Sequence, residues 1–257
     1  MAIIAYYTFI EYLRKKMLYI IFGIGAILML GTIIAWWLAL SEQTKVIRDF
    51  SMWLIEIAGL ILVLFFGSNV LHQEISQNTI FLLASKNIDR KNILLWKFFW
   101  FSLVIWVFIV IMWLLYTGIS YLYHVPFDWI HVLAILGIAI KLEVLLAICL
   151  FFASFMSPFV TLFVALIIYI LSHIMWFVVF YITVLKKEMF SPAMSYITQA
   201  FYYIFPNFTT LSIWDFFDVP FLWQVLWQSF GFAVGFNLLY IVIILFFAIR
   251  IFTKKQL

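Results

Sequence analysis

The sequence predicts an all-α integral membrane protein with six transmembrane helices, forming a single domain over residues 1–257. Composition comes first: 68% of the 257 residues are apolar and 10% are charged. A chain of that make-up cannot hide its apolar surface inside one soluble core. Length comes second, because crossing a hydrocarbon layer about 30 Å thick takes about 20 mostly apolar residues and six segments reach that length. Patterning comes third. No stretch shows the strict apolar and polar alternation of a membrane barrel, so the spans are helices, which satisfy their backbone polar groups internally.

At the start of the chain Ile3, Ile4, Tyr7, Ile10 and Leu13 recur at helical spacing, with Glu11, Lys15 and Lys16 towards the other face. That pattern predicts a short N-terminal interfacial helix over residues 3–16. The spans are expected at residues 17–40, 52–71, 94–123, 132–156, 159–185 and 223–251. The first is too long for the apolar part of a signal peptide, and Trp36-Trp37 near its end suits an interfacial anchor, so it is expected to be retained. The third and fifth exceed the bilayer requirement, which implies tilt or projection. Ser157-Pro158 makes a tight turn between the fourth and fifth. The segment between the fifth and sixth holds Ser191-Pro192, Phe201-Tyr202-Tyr203 and Phe205-Pro206-Asn207-Phe208. It is too polar to span and too apolar to float free, and is read as short outer helices lying at or re-entering the interface, broken at Pro206. Gly231 and Gly235 form a Gly-x-x-x-Gly pair that permits close helix approach, expected to pack within the chain. The single cysteine, Cys149, excludes an intrachain disulfide and is read as packing.

Charge placement orients the spans. Arg14, Lys15 and Lys16 precede the first span, Lys86, Arg90, Lys91 and Lys97 lie between the second and third, and Arg250, Lys254 and Lys255 close the chain after the sixth. With six spans all three groups share one side. The other side holds Lys45, Arg48, Lys186 and Lys187 among Glu42, Asp49, Asp128, Glu188, Asp215 and Asp218. The positive-inside rule puts both termini and the 72–97 segment in the cytoplasm. The net charge of +4 is thus explained by topology, and no nucleic-acid partner is expected.

The 72–97 segment is a polar island between the second and third spans. Asn78 suits a left-handed helix break and Thr79 caps the next helix. Ile80, Leu83 and Ala84 share one face of that short helix before Asp89, Arg90 and Lys91 lead into the third span. Such a helix fits a groove on another protein, although an ordinary connecting loop fits the residues equally well. The run of Glu74, Asn78-Thr79-Ile80, Leu82-Leu83, Lys86, Ile88, Arg90 and Leu94-Leu95 with Lys97 resembles the signature of ABC-2 type transporter permeases, closest to the class linked to multicopper-enzyme maturation. Asn78, Asn87 and Asp89 stand where that family usually has Gly, Pro and Ser. Phe205-Pro206-Asn207-Phe208 resembles a Pro-Asn element at the same place in the family, making Pro206 and Asn207 an outer motif.

The resemblance implies a transport subunit in a prokaryotic plasma membrane, not itself an enzyme. Its cytoplasmic coupling helix, with Glu74, Asn78, Thr79, Leu83, Lys86 and Arg90, would dock on an ABC ATPase subunit. The working unit would pair it with a second permease copy or homologue among membrane lipids. No Gly-x-x-x-x-Gly-Lys-Ser/Thr loop occurs here, so ATP and Mg2+ are expected in the partner ATPase. Export is the expected direction.

Two charges fall inside the fourth span. Lys141 and Glu143 each cost about 3 kcal/mol at the bilayer centre, so both must face protein or water. Two residues turn a helix by about 200°, which makes them poor partners for each other. A structural ion pair with another span through Glu56 is the first reading, and a polar substrate or gating pathway the second. An ion-coupled carrier or intramembrane enzyme using Glu56, Lys141 and Glu143 is therefore the rival function. Against an enzyme, no nucleophile has a base at helical spacing and no His-Glu-x-x-His motif occurs. A partner-binding protein without turnover is a third reading. His124, Asp128 and His131 carry metal-ligating groups around the turn after the third span, but beside Tyr123 and Trp129 they suit an amphipathic surface and no metal is expected. His72 and His173 are isolated and read as packing or hydrogen-bonding residues.

Overall fold

The computed structural model describes residues 17–39, 42–76, 90–126, 128–180, 204–212 and 223–254. All secondary structure among them is helical: α1 (Met17–Leu38), α2 (Gln43–Ser76), α3 (Arg90–Leu122), α4 (Trp129–Ala153), α5 (Pro158–Phe180), a 3-10 turn (Thr209–Leu211) and α6 (Trp223–Lys254). Among the described residues, four stretches are long and apolar enough to cross a membrane: Gln43–Asn69, Lys91–Leu122, Trp129–Ala153 and Ser229–Thr253. In the other two helices, of 22 and 23 residues, the described residues hold the apolar stretches Gly25–Leu38 and Pro158–Ile174. The expected interfacial helix over 3–16 and the outer helices beyond 204–212 lie outside the described residues.

The expected span boundaries shift where polar residues continue a helix that composition alone would end. The second was expected from residue 52, yet α2 begins at Gln43. Glu42 adopts a left-handed conformation with φ 55° and its carbonyl accepts the N–H groups of Lys45 and Val46, starting the helix before its apolar part. The fourth begins at Trp129 and ends at Ala153 instead of running 132–156. Its start is set by Asp128, whose extended backbone and carbonyl contact to the His131 N–H make an N-cap. At its far end the Ser154 hydroxyl bonds the Phe151 carbonyl, and the Ser157 carbonyl accepts the Thr161 N–H, so the expected tight turn is present.

α4 is the central post. From Ala134 to Leu150 almost every residue is buried, whereas large residues along α6 such as Phe232, Leu239 and Val242 are exposed. Small side chains permit this crowding. Gly67 of α2 faces Cys149 of α4 so closely that a Cβ at Gly67 would lie 2.7 Å from the Cys149 Cβ. Pairing of Gly59 with Leu142 and Gly67 with Cys149 shows that α2 and α4 run parallel. Ser102 with Glu143, and Tyr116 with His131, show that α3 runs antiparallel to α4. α1 is parallel to α3, with Gly25 beside Met112 and Trp36 against Tyr123 at a ring separation of 4.6 Å. Phe230 and Ala233 of α6 join Ile130 and Leu211 in a second apolar cluster near the start of α4. The start of α1 and the end of α6 therefore lie at the same end of the bundle as Ser76 and Arg90.

Gly231 and Gly235 do not pack as expected. Both are exposed, and an added Cβ at either would meet nothing within 4 Å among the described residues. The reason is rotational: α6 turns Phe230, Ala233 and Asn237 inward, which leaves the glycine pair on its outer side.

Replacing Gly67 by Val is expected to destabilise the fold by about 1–3 kcal/mol, the usual cost of overpacking a tight seam. Thermal melting in detergent measures it. Cys149→Gly in the same chain should restore part of the loss, and a double variant no better than Gly67→Val would contradict this contact.

Candidate functional site: a buried polar cluster around Lys141

A lysine buried in an apolar bundle must find acceptors for its ammonium, and the fold brings them from three other elements. Lys141 of α4 is fully buried, and its Nζ lies 2.9 Å from Glu56 Oε1 and 3.2 Å from Oε2 on α2. Nζ also donates to Ser212 Oγ at 2.6 Å and lies 3.4 Å from His173 Nε2 of α5. Glu56 is as well served. Its Oε1 accepts the Tyr169 hydroxyl at 2.5 Å and sits 3.3 Å from His173 Nε2. The expected pairing of Lys141 with another span through Glu56 is thus present.

Tyr169 and His173 are one turn apart on α5, so both reach the same seam. The His173 Nδ1 lies 3.1 Å from the Tyr169 carbonyl, which can only accept, so Nδ1 carries a proton. A neutral imidazole then offers Nε2 as an acceptor to Lys141, and an imidazolium donates it to Glu56. The imidazole is the open side of the cluster, at 30% exposure against 0% for the Lys141 side chain and 4% for that of Glu56.

Ser212 arrives by an irregular path. Pro206 is buried, and Asn207 Oδ1 accepts the Thr210 N–H at 3.3 Å, fixing the turn that leads to the 3-10 helix. Asn237 of α6 donates Nδ2 to the Asn207 carbonyl at 3.4 Å and to the Ala233 carbonyl at 2.8 Å. The Thr209 hydroxyl bonds the His173 carbonyl at 3.0 Å, and fully buried Phe208 packs against the rings of Tyr169 and His173. Gly137 of α4 lets the Leu211 carbonyl approach where a Cβ would collide with it. The outer motif is thereby linked to the cluster: Asn207 shapes the turn that carries Ser212 to Lys141.

Glu143 goes elsewhere. It faces α3, where its Oε1 accepts the Ser102 hydroxyl at 2.7 Å. The separation of Lys141 and Glu143 follows from their two-residue spacing on a helix.

The remaining expected site residues divide into placed and undescribed. Glu74 belongs to α2 and Arg90 opens α3, while Asn78, Thr79, Leu83 and Lys86 lie outside the described residues. His131 turns inward: its Nδ1 accepts the Asp128 backbone N–H at 3.0 Å and its ring packs on Tyr116, so it does not join His124 and Asp128 as a ligand set. Among the described residues no three His, Cys, Asp or Glu side chains converge as metal ligands. Tyr169, Ser212, Ser102 and Asn237 were not foreseen. The i, i+4 spacing of Tyr169 and His173 on an apolar span was a usable signal, whereas single serines carry none.

No protein-family model matches this sequence, and no curated protein is similar to it at a significant level.

Removing one partner of a buried ion pair leaves an uncompensated charge, so Lys141→Met is expected to cost about 3–5 kcal/mol in stability. The combined Glu56→Gln and Lys141→Met chain should lose clearly less than the sum of the single losses, by about 1 kcal/mol or more. Unfolding midpoints of the four proteins in one detergent test this, and strict additivity would rule the coupling out. Ser212→Ala is expected to cost about 1.5–3 kcal/mol, as for a hydrogen bond to a charged group, and the same melts read it.

Proposed function

We propose that this chain is the transmembrane subunit of an ATP-driven transporter of the ABC-2 permease type, an exporter with six spans and with both termini and the 77–89 connection in the cytoplasm. In this reading the chain works as a dimer with a second permease copy or homologue. A separate ATPase docks on the 74–91 segment through Glu74, Asn78, Thr79, Leu83, Lys86 and Arg90. The observation that carries it is the projection of α2. The apolar part of that helix runs to Leu71, yet the helix continues through His72, Gln73 and Glu74 to Ser76, and its 34 residues make it about 51 Å long against a hydrocarbon layer of about 30 Å.

Further support comes from the distribution of charge. Arg90, Lys91, Lys97, Arg250 and Lys254 belong to the end of the bundle that α2 extends from, and a basic end is the cytoplasmic one. A rigid helix leaving the membrane beside a basic rim gives the 77–89 connection a lever through which a partner's movement reaches α2. α2 in turn holds Glu56, so movement there bears on the Lys141 cluster. In this reading nucleotide hydrolysis, with its Mg2+, belongs to the partner, as no phosphate-loop motif occurs in these 257 residues.

The rival reading, an ion-coupled carrier or intramembrane enzyme on Glu56, Lys141 and Glu143, predicts activity without ATP. Mutual hydrogen bonding of Glu56 and Lys141 favours a structural role for that pair over ion carriage.

Purification of the tagged chain from its native host, with mass spectrometry for phosphate-loop peptides, tests the proposal. An ATPase is expected to co-purify with the native chain and to be lost with Leu83→Asp, while the thermal midpoint of the variant stays that of the native chain. A chain that purifies alone, or an ATPase retained by the variant, would remove the basis for the docking segment.

A further inference from the structure

Glu143 presents a different chemical problem from Glu56. It lies within Trp129–Ala153, at 7% exposure, and Ser102 Oγ at 2.7 Å is its hydrogen-bond partner among the described residues. No ion pair forms to it among them. The charged and titratable groups of the surrounding elements are engaged elsewhere. Glu56 of α2 and Tyr169 and His173 of α5 gather on Lys141, which leaves α4 about 200° away from Glu143. Lys97 of α3 is five residues before Ser102, about 140° around that helix. Tyr116 of α3 packs on His131 towards the start of α4, and Arg250 of α6 sits over the Phe246 ring. Tyr240 of α6 is only partly buried and packs against the apolar core.

A carboxylate in an apolar interior, with one hydroxyl to solvate it, is costlier by several kcal/mol than the neutral acid. The neutral acid escapes the cost of the charge while the hydroxyl of Ser102 still satisfies its carbonyl oxygen. We propose that Glu143 and Ser102 form a proton-binding site on the α3–α4 seam, in which Glu143 is held as the carboxylic acid and exchanges its proton only when water reaches the seam. The ligand is the proton itself, and the site is separate from the Glu56–Lys141 pair. It does not rest on the ATPase reading, because the carboxyl needs its proton whichever energy source moves the helices.

The full chain, reconstituted in phosphatidylcholine vesicles, tests this with N,N′-dicyclohexylcarbodiimide, an apolar reagent that requires a protonated carboxyl. The acid proton moves to a carbodiimide nitrogen as the carboxyl oxygen bonds to the central carbon, and rearrangement leaves one reagent added per group. Peptide mapping at neutral pH should find the adduct on Glu143 and none on Glu56, with the Glu143 adduct lost in Glu143→Gln. Infrared spectroscopy gives a second readout that does not depend on reagent access. The carboxylic-acid carbonyl band of the native chain at neutral pH should be missing from Glu143→Gln, whose neutral amide keeps the native melting midpoint. Native and variant spectra without that difference, or an adduct on Glu56 equal to that on Glu143, overturn the proposal.

Discussion

The bond between Glu56 and Lys141 constrains more of this molecule than any other contact. An ammonium and a carboxylate inside an apolar bundle are tolerable only together, and only when their remaining donors and acceptors are met. Meeting them fixes α2, α4 and α5 at one depth and requires the 204–212 segment to reach Lys141 through Ser212. Replacing such a pair with apolar residues is often neutral for stability, so its main effect is to specify which helices meet and in what register. A shift of α2 by one turn along α4 would strand both charges, and apolar packing alone carries no comparable penalty for that slip.

Close packing around α4 is the second constraint, and it serves the first. Gly67 opposite Cys149 brings α2 near enough for Glu56 to reach Lys141, and Gly137 admits the Leu211 carbonyl one residue before Ser212. In a membrane, where lipid is as apolar as a leucine side chain, helix association relies on such small-residue contacts and on interhelical hydrogen bonds. Here both occur on the same helix. The exposed Gly231 and Gly235 show the converse, since a small-residue pair packs within the chain only where the rest of its helix face turns inward.

Helical class, the rough extent of the long apolar helices and the burial of Lys141 were legible because they follow from composition and from the cost of charge in hydrocarbon. Glu56 was legible as a partner because ionisable residues inside spans are few. Tyr169 and His173 were half legible, their spacing visible but their target not. Ser212 and Ser102 were illegible, because a serine in an apolar sequence looks the same whether it bonds its own helix, as Ser172 does, or another element. The extension of α2 back to Gln43 was missed because helix ends depend on backbone capping at Glu42, which hydropathy does not register.

By itself the sequence determined the solvent of this protein, its helical backbone, its charge asymmetry and the need of Lys141 for an acidic partner. These follow from transfer free energies that depend on residue type and local spacing. Only the tertiary structure decided that Lys141 takes Glu56, His173 and Ser212 while Glu143 takes Ser102. The choice depends on which helix faces meet, and helix rotation is set by side-chain packing between segments far apart in the chain, where apolar periodicity around an almost wholly apolar helix gives no direction.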